Sequence, residues 1–137
     1  MASLNMGSNY YPLNQETIDR VVENGRIGNY AYGYINGEGM FVVQYVGRSD
    51  TDLHVRISHG ISEYRERPAL RYDLFKFSYA STAQEAYEKE CRNYHDFGGE
   101  RGLLANTEHP DRPKGTFHHC PICGAPHSHN YADLFHA

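Results

Sequence analysis

The segment from Asn29 to Val46 constrains the fold of this chain more than any other. From Asn29 to Ile35, tyrosines alternate with smaller or aliphatic residues, a period of two that indicates a β-strand with two different faces. The sequence Asn36-Gly37-Glu38-Gly39 gives a strong turn signal, since Asn-Gly favours the positive φ angles of tight hairpins. Met40 to Val46 is rich in valine and aromatic residues and is typical of a returning strand. The sequence therefore predicts a β-hairpin.

A short helix is expected before this hairpin and a longer one after it. Residues 1–13 look irregular, whereas Asn14 is placed to cap a helix over residues 15–24. After the hairpin, apolar side chains recur at four-residue steps from about Asp52 into the low sixties, which predicts a second helix. Arg56 lies at the edge of that apolar stripe.

One further strand and one further helix complete the pattern. Asp73 to Tyr79 alternates as a strand does, and Ser81-Thr82-Ala83-Gln84 then matches a capping box that opens a helix. This helix is expected to end near His95 or Asp96. Its inward stripe contains Glu90, and an acid in an apolar stripe is costly unless it has a partner or a function.

The order of these elements predicts a single small α/β (α+β) fold. We expect a central antiparallel sheet of three strands flanked by helices, preceded by an N-terminal extension with a short helix over residues 1–27. No apolar run is long enough to span a bilayer, and the N-terminus lacks the basic start and apolar block of a secretory signal. The expected location is therefore cytoplasmic, with no membrane partner.

Two tyrosines, an arginine and a carboxylate follow one another in an order suited to phosphodiester hydrolysis. Tyr30 and Tyr45 lie on the hairpin, Arg56 on the next helix and Glu90 on the last. A carboxylate on an inward helix face could hold a divalent cation, and an arginine could contact phosphate oxygens. A tyrosine beside the metal could orient or deprotonate water. The plain alternatives are half-buried strand tyrosines and a salt bridge between Glu90 and Arg56.

These residues resemble the GIY-YIG nucleases over about residues 28–107. The matching segments are Gly28-Asn29-Tyr30 for the first tripeptide, Tyr45-Val46-Gly47 for the second with Arg48-Ser49-Asp50 after it, Arg56 in the following helix, Glu85 to Glu90 for the Glu-Ala-x-x-x-Glu helix, and Asn106 for the late asparagine. In this chain Asn29 replaces an apolar residue, and the interval to Tyr45 is long, so Tyr34 is a rival for the first-motif tyrosine.

The resemblance implies a divalent-metal-dependent endonuclease that hydrolyses nucleic acid, with DNA favoured over RNA. Glu90 would bind one Mg²⁺ or Mn²⁺, and Arg56 would bind the scissile phosphate. Tyr30 and Tyr45 would position or activate water and stabilise charge, with Asn106 near the site. A homodimer would allow such a small domain to cut both strands of a duplex.

The tail over residues 108–137 is rich in proline, histidine and cysteine and carries a second candidate site. Cys120-Pro-Ile-Cys123-Gly resembles a zinc knuckle, since two thiolates at this spacing can chelate one tetrahedral ion. Cys91 and His95, four residues apart on a helix, are the favoured pair to complete a structural Zn²⁺ site and tie the tail to the core. The rival ligands are His118, His119, His127 and His129.

A non-catalytic module with the same fold, used to hold nucleic acid or protein, is the main alternative. The net charge of −4 favours it, because nucleic-acid binders are usually basic. A cysteine enzyme built on Cys91 and His95 is disfavoured by the neighbouring cysteine pair. The complete set of two tyrosines, arginine and glutamate favours the nuclease.

Overall fold

A four-stranded antiparallel sheet forms the centre of the fold in the computed structural model, which describes residues 2–66, 71–106 and 108–124. The spatial order of the strands is β1-β4-β2-β3, so β3 is an edge strand. Their bounds are β1 Tyr11–Pro12, β2 Gly28–Ile35, β3 Phe41–Ser49 and β4 Leu74–Tyr79.

The expectation of three strands is therefore corrected to four. Strand β1 lies within residues 1–13, which look irregular in the sequence, and it pairs Tyr11 with Phe75 and Pro12 with Leu74. A strand of two residues cannot show an alternating pattern, so periodicity does not reveal it. Pro12 has no N–H to donate, and an edge position is where a sheet tolerates that loss.

The predicted hairpin is confirmed as β2 paired with β3. An irregularity after Tyr32 leaves Gln44 of β3 without a direct partner, because Tyr32 pairs with Tyr45 and the next residue, Gly33, pairs with Val43. In the turn, the Asn36 side chain accepts hydrogen bonds from the backbone N–H groups of Glu38 and Met40.

Three α-helices flank the sheet, with bounds α1 Gln15–Val21, α2 Leu53–Glu66 and α3 Ala83–Asp96. The side chain of Asn14 caps α1 as predicted, accepting the N–H of Thr17 at 2.8 Å, but α1 ends earlier than expected. None of the helices in the described part of the chain has the length and apolar character needed to cross a membrane.

The capping box of α3 lies one residue later than the sequence pattern suggests. Thr82 is the N-cap and accepts the N–H of Glu85, whose carboxylate accepts the N–H of Ser81 at 2.8 Å. Both Ser81-x-x-Gln84 and Thr82-x-x-Glu85 satisfy the motif. The ionised side chain of Glu85 is the stronger acceptor for the exposed backbone N–H groups, which favours the second register.

The alternation along β2 separates two apolar cores. Tyr30 and Tyr32 pack with residues of α1 and α2 such as Ile18 and Leu53. Ala31, between them in the sequence, belongs to a second core that includes residues of β3 and α3. The sheet is thus covered on both faces, and α2 and α3 approach the edge strand β3 from opposite sides.

Candidate active site and metal site

All five residues predicted to be catalytic line one pocket of about 390 Å³. The pocket lies where the end of β3, the start of α2 and the middle of α3 meet residues 105, 106 and 108–111. Residues from both faces of the sheet reach it, because β3 is an edge strand. Its walls are formed by Tyr30, Tyr45, Gly47, Arg48, Asp50, Arg56, Glu90, Ala105, Asn106, Glu108, His109, Pro110 and Asp111.

Gly47 allows the first tyrosine to reach this pocket. Tyr30 pairs with Gly47 across the sheet, and a Cβ atom built on Gly47 would overlap Cζ and Oη of the Tyr30 ring. The ring therefore lies directly over the glycine. Tyr45 precedes Gly47 by two residues on β3 and therefore lies on the same face of the sheet. Its ring is stacked on that of Tyr30, with ring centroids 6.3 Å apart.

The rival tyrosine, Tyr34, lies away from the pocket. It pairs with Val42 near the hairpin turn, and the guanidinium of Arg71 stacks on its ring at 4.5 Å. Of the two candidates for the first-motif tyrosine, only Tyr30 lines the pocket.

Burial keeps both pocket tyrosines protonated. Burial raises the pKa of Tyr30 well above its ordinary value, and the same cause raises the pKa of Tyr45. Arg56 opposes both shifts through its charge, and it also hydrogen-bonds the Tyr45 hydroxyl. The guanidinium of Arg56 lies 5.4 Å from the centre of the Tyr30 ring and forms an ion pair with Glu63 at 3.0 Å.

Glu90 is a buried acid with a charged partner. Its residue is 9% exposed, and its Oε1 accepts a 2.7 Å hydrogen bond from Nη1 of Arg48. Burial raises the pKa of the Glu90 carboxyl, and the charge and hydrogen bond of Arg48 oppose that shift. The salt bridge between Glu90 and Arg56 that was considered from the sequence is therefore wrong, because Glu90 pairs with Arg48 and Arg56 pairs with Glu63.

Asn106 is near the site in a structural role. Its Oδ1 accepts the N–H of Val46 at 3.0 Å, and its Nδ2 donates to the carbonyl of the same residue at 2.8 Å. The N–H of Ala105 donates to the carbonyl of Gln44 at 2.6 Å. These bonds hold Ala105 and Asn106 against β3, where they line the pocket together with residues 108–111.

Sequence reasoning assigned no chemistry to several charged residues that also line the pocket. Arg48 directly follows the second tyrosine motif, and that position was a usable signal. Asp50, Glu108 and Asp111 complete a set of four carboxylates, with Glu90, against the two guanidinium groups of Arg48 and Arg56. The pocket therefore has more acidic than basic side chains.

A second cluster joins α3 to the tail and could hold a metal ion. One ligand atom from each of His95, His109, Cys120 and Cys123 lies within 4.8 Å of every other. Three of these residues match the predicted set. Cys91, however, is replaced by His109, a residue of the connector to which sequence reasoning gave no chemistry.

The contacts of the two histidines direct the same ring nitrogen, Nε2, to this cluster. Nδ1 of His95 contacts the Glu100 carboxylate at 3.3 Å, and Nδ1 of His109 donates to the Pro110 carbonyl at 2.8 Å. The two Nε2 atoms lie 3.1 Å apart. Partners of this kind at the other ring nitrogen are typical of metal-binding histidines.

The cysteine pair has the backbone arrangement of a metal knuckle. The N–H groups of Ile122 and Cys123 lie 3.4 and 3.5 Å from Sγ of Cys120. Gly124 adopts a positive φ of 73° and donates its N–H to the Cys120 carbonyl at 2.8 Å. Such backbone N–H groups can hold a ligating sulfur in a fixed orientation towards a metal ion.

Cys91 is excluded from the cluster because it points into an apolar contact. It is fully buried against Tyr87 and Cys120, and burial raises the pKa of its thiol. A protonated, enclosed thiol is neither a ready ligand nor a reactive nucleophile.

The rival histidines do not complete the site within the described residues. His118 and His119 lie outside the cluster, and Nδ1 of His119 instead contacts the Gly124 carbonyl at 3.1 Å. His127 and His129 fall outside the part of the chain that the structure describes.

His109 belongs to both sites, since it lines the pocket and contributes to the His/Cys cluster. Comparison with known proteins found no family model, no curated protein and no solved structure that matches this chain. A functional proposal therefore rests on the geometry of the two sites.

Proposed function

We propose that this chain is a divalent-metal-dependent endonuclease of the GIY-YIG type that hydrolyses phosphodiester bonds in nucleic acid, with DNA favoured over RNA. One observation carries the proposal. Tyr30, Tyr45, Arg56, Glu90 and Asn106 come from separate parts of the sequence, and they all line a single pocket. Packing alone does not account for two strand tyrosines and a helix arginine that line the same pocket as a buried acid.

The carboxylates of the pocket fit a hard divalent cation. Glu90 uses Oε1 for its ion pair with Arg48, so Oε2 is the donor it offers, and Asp50 lies on the same wall. Carboxylate oxygen is the ligand type that Mg²⁺ and Mn²⁺ prefer. When bound, such an ion would neutralise developing charge on the phosphoryl oxygens and lower the pKa of a bound water.

In this proposal Arg56 binds the phosphate. Its ion pair with Glu63 uses Nη1, and its planar guanidinium has five N–H donors in all. The remaining donors suit the oxygens of a phosphodiester. Because Arg56 lies over the Tyr30 ring, the phosphate it holds would lie close to the tyrosine hydroxyls.

The tyrosines act as hydroxyl groups and not as bases in this proposal. Burial raises the pKa of both Tyr30 and Tyr45, so each remains protonated at neutral pH. A protonated hydroxyl can orient the attacking water and donate to a phosphoryl oxygen. The bound cation would lower the pKa of that water, and its proton would then pass to solvent.

For the His/Cys cluster we propose Zn²⁺ in a structural role. Two thiolates and two imidazoles are one of the usual ligand sets of tetrahedral zinc sites. Four protein ligands leave no open coordination position, so catalysis is assigned to the pocket and not to this ion. The ion would join α3 to the tail and fix His109 in the pocket wall.

One observation favours the non-catalytic alternative. Arg48 already neutralises Glu90, so the carboxylate has a satisfied partner without a cation. In that alternative the pocket holds a strand or a peptide and cuts nothing.

Cleavage by the wild-type protein separates the two candidates. Zinc-loaded protein is incubated with end-labelled single-stranded DNA, duplex DNA and RNA in Mg²⁺ or Mn²⁺, and half of each sample is analysed by gel and half by fluorescence anisotropy. The nuclease predicts shortened strands that disappear when EDTA is added before the substrate. Binding with fully intact strands in both metals would establish the non-catalytic module instead.

A further inference from the structure

Three charged side chains form a continuous chain at the pocket wall, from Asp50 through Arg48 to Glu90. Arg48 donates from Nε to Oδ1 of Asp50 at 2.7 Å and from Nη2 to Oδ2 at 3.2 Å. Its third bond runs from Nη1 to Oε1 of Glu90 at 2.7 Å. The side chains of Arg48 and Glu90 are only 12% and 11% exposed, so solvent screens this pair weakly.

In this arrangement Arg48 competes with the proposed cation for the Glu90 carboxylate. A guanidinium bonded to Glu90 repels a divalent ion that approaches the same carboxylate, and limited solvent makes that repulsion strong. It also occupies one of the two carboxylate oxygens. Asp50 holds the other edge of the guanidinium, and the Tyr87 ring lies 5.2 Å from its Cζ, so Arg48 is fixed in the competing position.

We propose that Arg48 is a latch on Glu90 that makes the cation and the nucleic-acid strand bind cooperatively. This inference rests on the proposed function, since it takes Glu90 as the cation ligand. Without a strand, Arg48 pairs with Glu90 and weakens cation binding. When a phosphodiester enters the pocket, a phosphate oxygen replaces the Glu90 carboxylate as the acceptor at Nη1 of Arg48, while the bonds to Asp50 keep the guanidinium in place.

The charges that face this latch favour the exchange. Besides Asp50 and Glu90, the pocket is lined by Glu108 and Asp111, and Arg56 is its other guanidinium. A phosphate entering alone would meet an excess of acids, and a cation entering alone would meet Arg48. When both enter, the new charges compensate each other, and Arg48 exchanges a carboxylate for a phosphate oxygen of equal charge-assisted strength.

Mn²⁺ binding measures the latch without relying on cleavage. Zinc-loaded wild type, Arg48→Gln, Arg48→Lys and Glu90→Gln are titrated with Mn²⁺ and free Mn²⁺ is followed by electron paramagnetic resonance. Removing the positive charge is expected to tighten Mn²⁺ binding about tenfold, since a cation–cation repulsion is lost and two carboxylates lose their partner. Arg48→Lys keeps the charge and is expected to bind Mn²⁺ as weakly as wild type.

Arg26→Gln is the matched control for the change in net charge. Arg26 is paired with Glu23 and lies outside the pocket lining, so its loss is expected to leave the Mn²⁺ affinity unchanged. A thermal melt of each variant confirms that the titrated protein is folded. If Arg48→Gln does not fold, the wild type and Glu90→Gln still test the latch through the cooperative effect of phosphate, and an equal effect in the two would overturn it.

Thymidine 3′,5′-bisphosphate is the probe for that effect, because it offers phosphate groups but no diester to cut. Binding of Mn²⁺ by the probe's own phosphates is measured with Glu90→Gln, which lacks the cation ligand. In wild type the probe is expected to raise the Mn²⁺ affinity several-fold more than in that variant. In Arg48→Gln this additional gain is expected to vanish. An equal gain in both proteins, or equal Mn²⁺ affinity without the probe, would overturn the latch and leave the nuclease intact. Mn²⁺ affinity unaffected by Glu90→Gln would instead reject the cation site itself.

Discussion

Among single residues, Gly47 has the most direct control over the shape of the pocket. The second tyrosine motif needs a glycine at this point because the Tyr30 ring lies where a Cβ atom would be. Neither residue tolerates displacement easily, since Tyr30 is buried and Gly47 is part of the β2–β3 pairing. The glycine therefore fixes where the hydroxyl of Tyr30 lies in the pocket.

Gly47→Ala is expected to lower the free energy of unfolding by about 1–3 kcal/mol, because overpacking forces a buried ring or strand to shift. Urea denaturation measures this change. Gly37→Ala is the control, since a Cβ atom there would contact nothing within 4 Å. Equal effects of the two substitutions would contradict the placement of the Tyr30 ring over Gly47.

The buried tyrosines predict a loss of stability at alkaline pH. The folded-state pKa of Tyr30 is raised by burial, whereas a tyrosine in the unfolded chain ionises near pH ~10. Stability from this group is therefore complete below that pH and falls as the pH rises towards the folded-state pKa. Urea denaturation at about pH 8 and about pH 11 is expected to show a smaller fall for Tyr30→Phe than for wild type. An equal fall in both proteins would contradict the burial of that hydroxyl.

Residue types and their order were enough to predict five of the residues that line the pocket, but not how each side chain is used. Asn29, a departure from the family pattern, is fully buried, and its Nδ2 donates to the Ala86 carbonyl one turn before Glu90. Asn106 was predicted near the site, but its amide is bonded to Val46. Such roles depend on which backbone groups lie opposite, and periodicity carries no information about that.

Among the elements, α3 connects the two sites, because it carries both Glu90 and His95. Its start is fixed by the Thr82 side chain, which accepts the N–H of Glu85 at 3.1 Å. The sequence offered two overlapping capping boxes, and only the three-dimensional hydrogen bonds distinguish them. The two-residue strand β1 was missed for a related reason, since its pairing is visible only against β4.

Thr82→Ala is expected to lower the free energy of unfolding by about 1 kcal/mol, because the first turn of α3 loses its cap. Ser81→Ala is the matched control, since its backbone and not its side chain takes part in the box. Thermal or urea denaturation of the two variants checks the assignment. A larger loss for Ser81→Ala would restore the register expected from the sequence.

For the whole molecule, the replacement of Cys91 by His109 in the candidate ligand set changes which parts of the chain a bound ion would join. With Cys91 and His95, the ion would join the knuckle to a single helix. With His109, a bound ion would also hold residues that line one wall of the pocket. The sequence could not distinguish them, because the course of the chain after α3 decides which side chain meets the knuckle, and helical spacing does not describe that course.

His109→Ala is expected to lose most of the bound zinc, and Cys91→Ala is expected to keep it. Protein purified in zinc is denatured, and the metal released is measured with a chromogenic chelator. Hydrogen exchange of residues 105–111 is expected to increase in His109→Ala, because that wall loses its metal anchor. Zinc lost from Cys91→Ala and retained in His109→Ala would reverse the ligand assignment.

The most direct test of the central claim is the nicking of supercoiled plasmid in Mn²⁺ by zinc-loaded wild type, Glu90→Gln and Glu88→Gln. Glu88 lies on the same helix, outside the pocket lining, and its substitution changes the charge equally. The account predicts that wild type and Glu88→Gln nick the plasmid at similar rates, while Glu90→Gln, with an unchanged melt and zinc content, loses at least about a hundredfold in rate. Undiminished nicking by Glu90→Gln would show that this pocket is not the active site.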